Sequence, residues 1–207
     1  ARLDSCWFAA VWSCTMAQAT NAEEAGLAGG PAFVVVWDPL VRLFHWAVVL
    51  GCVLDLFVLE GGGLAHEVVG YTVAAALGVR LAWGFVGTRH ARFSDFVPSP
   101  RRLADYVSAL LRGRELRHLG HNPAGAVMML VLILLLAGVS VTGWLQTLDA
   151  FWGVAWVQDG HRWIADAILW LALVHAGAAL WASARHCENL VLAMITGRKR
   201  RLPGDAG

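Results

Sequence analysis

Histidine is the residue type whose number and spacing most directly indicate chemistry in this sequence. There are eight histidines in 207 residues, and four lie within strongly apolar stretches: His45, His66, His161 and His175. A neutral imidazole has one nitrogen that donates a hydrogen bond and one that can bind a metal ion. A single buried histidine is usually a hydrogen-bonded core residue. Ligation can therefore be inferred only from how the four are placed relative to one another.

The composition indicates an integral membrane protein. Hydrophobic residues make up 58% of the chain and charged residues 15%, with a mean hydropathy of +0.58, whereas soluble domains carry about 25% charged residues. Since one spanning helix takes about 20 apolar residues, four spans leave no room for a large extramembrane catalytic domain. The net charge is +1, and the expected surroundings are the lipid bilayer, with no nucleic-acid partner.

Four segments are long and apolar enough to be predicted as membrane-spanning helices. Their expected bounds are 41–59, 64–86, 123–145 and 161–184. Arginines are concentrated in 87–122 and at the end of the chain, whereas the connections 60–63 and 146–160 contain no lysine or arginine. By the positive-inside rule, we expect a multi-pass protein of the bacterial inner membrane, with both termini and the loop 87–122 in the cytoplasm.

The rest of the chain is predicted to flank this bundle. Residues 100–114 place Leu103, Tyr106 and Leu110 at helical spacing opposite arginines, which predicts an amphipathic helix on the inner leaflet. The outline of a signal peptide is present near the N-terminus, but cleavage there would contradict the loop charges. We therefore expect an interfacial or bundle-packed extension over residues 1–35, an all-α four-helix domain over 36–201, and a cytoplasmic tail over 202–207.

The four histidines fall at two depths of the predicted bundle. His161 and His175 are 14 residues apart, which is about 21 Å along a helix axis and roughly 40° around it. His45 precedes the end of the first span by the same number of residues, and His66 lies just inside the start of the second. His45 is thus expected to be level with His175, nearer the cytoplasm, and His66 with His161, nearer the periplasm.

Two pairs of imidazoles about 20 Å apart across a bilayer are the ligands that two six-coordinate hemes require. Helix bundles commonly hold cofactors between facing helices. Gly51 and Gly70 could make space for a macrocycle, although glycine also serves helix packing in membranes. The four cysteines form no C-x-x-C-H motif, so a covalent c-type heme is not expected. With both axial positions taken by histidine, oxygen or substrate chemistry at iron is disfavoured.

Several strings in the sequence resemble the four-helix prokaryotic diheme cytochromes b. That family includes the cytochrome b subunits of nickel-iron hydrogenases, formate dehydrogenases and thiosulfate reductases. The strings are WDPLVRLFHW, HEVVGYTVAAALGVRLAWGFVGTRHARFSDF, GHNPAGAVMML, LVHAGAAL and ENLVLAMITGRKR. The resemblance implies two b hemes, one held by His45 and His175 and the other by His66 and His161.

The resemblance also implies a function in electron transfer. The expected exchange is with membrane quinone, a candidate second cofactor, on one side and with a periplasmic redox protein, such as a c-type cytochrome, on the other. Such a chain could oxidise quinol as part of an oxidoreductase complex. Two alternatives stay open: a heme-binding structural or relay subunit of a larger respiratory or photosynthetic complex, and a histidine-lined transporter, because intramembrane ionisable residues also mark ion pathways.

Three further residues are candidate contacts of a cofactor, each with a structural alternative. Arg80, 14 residues after His66, could pair with a heme propionate or snorkel to the headgroups. The same alternatives apply to Arg42, one turn before His45. His121 could border a quinone pocket, touch a propionate, or simply belong to the start of the third span.

The other ionisable groups near the spans are predicted to be hydrated. Three histidines among arginines are expected to contact solvent or headgroups, and two carboxylates are expected to sit in hydrated interfacial positions. They are His90, His118, His186, Asp55 and Asp166.

Overall fold

Helices make up most of the computed structural model, which describes residues 33–59, 61–88, 91–112, 123–185 and 188–200. A single 3-10 turn lies at Asp149–Phe151 within these ranges. The elements in chain order are β1 (Phe33–Val35), α1 (Pro39–Phe57), α2 (Leu64–Val86), α3 (Phe93–Phe96), α4 (Pro100–Leu111), α5 (Pro123–Gln146), α6 (Ala155–Arg185), α7 (Leu190–Thr196) and β2 (Arg198–Arg200).

Four of these helices, α1, α2, α5 and α6, are long and apolar enough to cross a membrane. Their outward faces carry large exposed apolar side chains, such as Leu43, Phe85 and Trp170. Such a surface suits contact with lipid tails, and the helices satisfy their own backbone hydrogen bonds as a bilayer requires. The predicted all-α membrane bundle with four spans is confirmed.

The long helices pack in chain order, α1 against α2, α2 against α5, and α5 against α6. Short connections over 58–63 and 147–154 join the first and last of these pairs, at what we call the hairpin end of the bundle. We call the opposite end, where α1 begins and α2 ends, the basic end. The buried core is shared by α2, α5 and α6, and it consists of Val73, Leu77, Ile133, Leu136 and Ile168.

Local sequence signals explain where two helices begin. Asp38 precedes α1 and its Oδ1 accepts a hydrogen bond from the backbone N–H of Leu40 at 2.8 Å, with proline as the first helical residue. Ser99 and Pro100 form the same arrangement at α4. These are the usual N-cap and N1 residues of helices. The predicted amphipathic helix is therefore present from residue 100, and it extends to Leu111.

The fourth span starts earlier than predicted, at Ala155 rather than at residue 161. The polar and glycine-containing stretch before His161 favours a loop by composition, but Val157 is fully buried. Packing of this side chain holds the first turn against the bundle and outweighs the low helix propensity of Gly160. His161 thus lies in the second turn of a continuous helix rather than at its start.

The C-terminal segment contains two elements that the sequence did not predict. Helix α7 follows α6, and β2 then pairs antiparallel with β1, with Val34 opposite Lys199. The N–H groups of Val36 and Trp37 both donate to the carbonyl of Gly197, at 2.9 and 3.1 Å. The two ends of the bundle domain are thereby joined. Residues 1–32 and 201–207, which hold most of the predicted N-terminal extension and the tail, lie outside the described residues.

Candidate cofactor site

The histidines of the predicted outer pair face each other across the bundle. His66 lies in the first turn of α2 and His161 in the second turn of α6, and their ring centroids are 6.2 Å apart with the planes at 75°. Imidazole nitrogens bind a metal ion at about 2.0–2.1 Å, so two rings on opposite sides of one ion would have centroids about 6.3 Å apart. The observed separation is therefore the one that two axial ligands of a single iron would have.

The imidazole of His161 is oriented by Thr142 on α5. The hydroxyl of Thr142 donates its one hydrogen to the carbonyl of Gly138 at 2.8 Å, and its oxygen lies 3.1 Å from Nδ1 of His161. With its hydrogen given to Gly138, the hydroxyl oxygen accepts from the Nδ1–H tautomer of His161. Nε2 of His161 then keeps its lone pair, which is the form that binds a metal.

Gly143, beside Thr142, makes room for the same ring. A Cβ atom at this position would lie 3.2 Å from Cε1 of His161, which is tighter than ordinary van der Waals contact. The residue after the hydrogen-bonding threonine therefore has to be small for α5 and α6 to approach with the imidazole between them.

The imidazole of His66 is oriented by Asp55 on α1. Its Nδ1 lies 3.4 Å from Oδ1 of Asp55, and the two side chains are 25% and 17% exposed. This is an electrostatic contact rather than a hydrogen bond. A carboxylate favours the proton of His66 on the facing Nδ1, and Nε2 keeps the lone pair in that form. Asp55, expected from the sequence to be merely hydrated, thus contacts a candidate ligand. Both histidines of this pair hold their Nδ1 against a polar partner, as metal-binding histidines commonly do.

The histidines of the predicted inner pair, His45 on α1 and His175 on α6, lie within electrostatic range of each other. The ring of His45 stands edge-on to Trp46, with centroids 5.2 Å apart. Nδ1 of His45 is buried and has no hydrogen-bond partner among the described residues. A buried imidazole nitrogen without a partner is costly. A ligand held between α1 and α6 that contacts this nitrogen would offset the cost.

Arg80 is a buried cation near the basic end of the bundle. It is 1% exposed, its guanidinium lies over the ring of Phe93 at 5.1 Å, and Nη1 has no hydrogen-bond partner among the described residues. Asp38 is the acidic group that acts on it electrostatically, but that carboxylate already accepts from Leu40 and from the hydroxyl of Thr88 at 3.1 Å. A snorkelling arginine would expose its guanidinium, so this burial favours the alternative in which Arg80 faces an anionic group inside the bundle.

Arg42 holds the C-terminal segment in place. Its Nη1 donates to the carbonyl of Ile195 near the end of α7, and its guanidinium lies against Gly197, which has φ of +80°. Trp46, one turn further along α1, donates from Nε1 to the carbonyl of Met194 at 3.4 Å. A cation at a helix C-terminus is favourable because it pairs with unsatisfied carbonyls. The structure therefore shows a packing role for Arg42, and its predicted contact with a propionate stays a prediction.

The two glycines that the sequence suggested as space for a macrocycle differ from each other. A Cβ atom on Gly51 would collide with the side chain of Val73, so Gly51 is a site of close packing between α1 and α2. Nothing lies within 4 Å of the Cβ position of Gly70, one turn after His66. Of these two glycines, Gly70 is the one with open space beside a histidine.

The remaining sequence-predicted residues add nothing to either histidine pair. His121, with its proposed quinone or propionate contact, lies outside the described residues, as do three other histidines: His90, His118 and His186. Asp166 is exposed on α6. Among the described residues no three His, Cys, Asp or Glu side chains converge on one point. Two imidazoles are too few to hold a metal ion alone, but they suit an ion whose other ligands come from a macrocycle.

A four-span helical bundle with facing histidines on its first, second and fourth spans is the arrangement of membrane b-type cytochromes. The family model of prokaryotic cytochrome b561 matches residues 36–197, and the chain belongs to that family, as the sequence strings suggested. The family binds heme b and serves electron transport.

Similar proteins carry the name "Probable Ni/Fe-hydrogenase B-type cytochrome subunit". The one from Rhodobacter capsulatus is 25% identical and the alignment covers 80% of this chain and 81% of the relative. For Bradyrhizobium diazoefficiens the identity is 25%, with 88% and 92% covered. For Azotobacter vinelandii it is 24%, with 79% and 87% covered. No solved structure matches the chain.

Proposed function

We propose that this protein binds two b hemes, one between His66 and His161 and one between His45 and His175, and carries electrons across the bacterial inner membrane. The observation that carries the proposal is the 6.2 Å separation of the His66 and His161 rings, with both Nδ1 atoms turned to polar partners. Heme b, when bound, supplies an iron that takes up and releases one electron.

The residues of the chain determine what such a site can do. If the two histidines of a pair both held the iron, they would leave no position for a substrate to bind it. The two pairs are 14 residues apart on α6, about 21 Å along its axis, so together they cross much of the hydrocarbon layer. This arrangement supports relay of electrons rather than chemistry at a single centre.

The proposed partners are a membrane quinone at one end of the bundle and a redox protein at the other. The name of the relatives describes them as cytochrome subunits of nickel-iron hydrogenases. A redox enzyme of that kind, or a periplasmic c-type cytochrome, or a larger membrane complex would exchange electrons at the hairpin end. Quinone would exchange them at the basic end, which we place in the cytoplasm from the arginine distribution.

The test is a redox-titrated absorption spectrum of the purified protein, with heme counted per chain by the pyridine hemochrome method. The proposal requires two b hemes with low-spin, six-coordinate spectra and their reduction by a short-chain quinol in detergent or liposomes. A chain that holds no heme after expression with heme supplied would be a histidine-lined transporter instead. Two hemes that quinol never reduces would indicate a relay or structural subunit.

A further inference from the structure

Asp55 is the one carboxylate that the described residues place against a histidine of either pair. It lies on α1, whereas His66 lies on α2, and the connection over 58–63 turns the chain back so that the two side chains meet at 3.4 Å. The relevant atoms are a carboxylate oxygen and the ring nitrogen that faces away from the proposed iron. Asp55 is therefore placed to act on a ligand without touching the cofactor.

A carboxylate in a spanning helix is expensive unless it has a partner. Asp55 is 17% exposed, and it lies two residues before the end of α1. Electrostatic attraction between Oδ1 of Asp55 and Nδ1 of His66, 3.4 Å apart, offsets part of this cost, although neither atom has a hydrogen-bond partner among the described residues. The position therefore requires a specific partner, and the histidine is that partner.

From this geometry we propose that Asp55 is a positioning residue that fixes the ring of His66 and lowers the midpoint potential of the heme bound by His66 and His161. The inference rests on the proposed function. A carboxylate that accepts from the distal ring nitrogen makes the imidazole a stronger electron donor to the metal. Its negative charge also favours the oxidised iron, which carries one more positive charge than the reduced iron.

The partner histidine has a neutral acceptor, and this difference makes Asp55 the stronger influence. The hydroxyl of Thr142 accepts from His161 but brings no net charge. The two axial ligands of the same heme would therefore differ in basicity, with His66 the more electron-rich of the two. Removing the charge of Asp55 while keeping its shape is the change that isolates this effect.

The experiment compares Asp55→Asn with wild type in a redox titration that resolves the two hemes. Asparagine keeps an oxygen acceptor but loses the charge, so the potential of one heme should rise by about 59 mV, a tenfold change in the reduced-to-oxidised ratio at fixed potential. The other heme should not move. The electron paramagnetic resonance spectrum of the oxidised protein should shift only in the corresponding low-spin signal. Asp55→Glu, which restores the charge, should return most of the potential.

Asp166→Asn is the matched control, because it removes an exposed carboxylate from α6, five residues after His161. An equal shift in this control would overturn the inference, since the effect would then be that of any nearby charge. Unchanged potentials in Asp55→Asn would also overturn it. Selective loss of the His66–His161 heme would support the positioning role, whereas equal loss of both hemes would show that Asp55 only stabilises the fold and would overturn it.

The wild-type heme count separates this inference from the proposed function. A chain that binds no heme between His66 and His161 would remove both. Two hemes with unshifted potentials in Asp55→Asn would remove the role of Asp55 alone.

Discussion

The two histidine pairs of this protein have opposite electrostatic surroundings. At the hairpin end, His66 meets the carboxylate of Asp55 and His161 meets a threonine hydroxyl. Toward the basic end, Arg42 precedes His45 by one turn on α1, and Arg80 is a buried cation on α2. The His66–His161 pair thus lies beside oxygen atoms that can accept hydrogen bonds, whereas the His45–His175 pair lies nearer a cation.

This difference predicts the order of the two midpoint potentials. Negative charge and strong ligands stabilise the oxidised iron, and positive charge stabilises the reduced iron. The heme held by His45 and His175 should therefore have the higher potential of the two. Electrons would be drawn from the hairpin end toward the basic end, and changes at either pair should shift one potential without the other.

The largest expected effect comes from removing a ligand of one pair. His66→Ala or His161→Ala should lower the heme count from two per chain to about one, and the lost component should be the low-potential one. His45→Ala or His175→Ala should remove the high-potential component instead. The reason is distance, since an imidazole cannot reach a partner about 21 Å away along the helix axis.

Pyridine hemochrome assays and redox titrations of the four variants measure this. Retention of two hemes in any one variant would exclude that histidine as a ligand. Loss of the same component in His45→Ala and His66→Ala would contradict the pairing across α6. A thermal melt of each variant is the control, because an emptied cofactor site can unfold a bundle.

The second prediction fixes the side of the membrane on which each pair lies. In a background without the native cysteines, Arg112→Cys should react with a membrane-impermeant maleimide only from the cytoplasmic side, and Ala150→Cys only from the periplasmic side. The physical basis is the arginine content of 87–122 and its absence from 146–160. The reverse labelling pattern would place the heme of lower midpoint potential on the cytoplasmic side and the heme of higher midpoint potential on the periplasmic side.

The spans and the histidine pairs could be predicted from the sequence because each follows from a short-range rule. Apolar length gives the spans, and 14 residues of helix give a fixed rise and rotation. The start of α6 could not be read in this way, because the burial of Val157 decides it. The pairing of β1 with β2 joins residues near opposite ends of the domain, and three-residue strands carry no periodic signal.

The polar neighbours of the candidate ligand histidines were missed, although the sequence contains a usable signal. In two antiparallel helices, residues equally distant from the turn come to lie side by side. Asp55 and His66 are equidistant from the connection 58–63, so counting outward from that hairpin would have found their contact. Thr142 lies five residues before the connection 147–154 and His161 seven residues after it, so the same count only brings them near each other. Which of the facing residues actually touch depends on helix rotation, and only the structure supplies that.

The third prediction tests the cation near the other pair. Arg80→Gln should lower the potential of the His45–His175 heme, because the guanidinium stabilises the reduced state. The expected size is up to a tenfold change in the reduced-to-oxidised ratio, about 59 mV. Redox titration against Arg101→Gln, an exposed arginine on α4, separates a local effect from the general field. A shift confined to the other heme would show that Arg80 does not face the His45 pair.

The smallest predicted effect concerns Thr142, the neutral partner of His161. Thr142→Val keeps the shape of the side chain but leaves Nδ1–H of His161 without its acceptor, which costs about 1–3 kcal/mol for a buried donor. The thermal stability of the protein should fall accordingly. The potential of the His66–His161 heme should rise by less than in Asp55→Asn, because the hydroxyl carries no net charge. Thr142→Ser, which restores the oxygen, should recover both properties. If the serine variant behaved like the valine variant, packing of the methyl group against α6 rather than the hydrogen bond would be what Thr142 contributes.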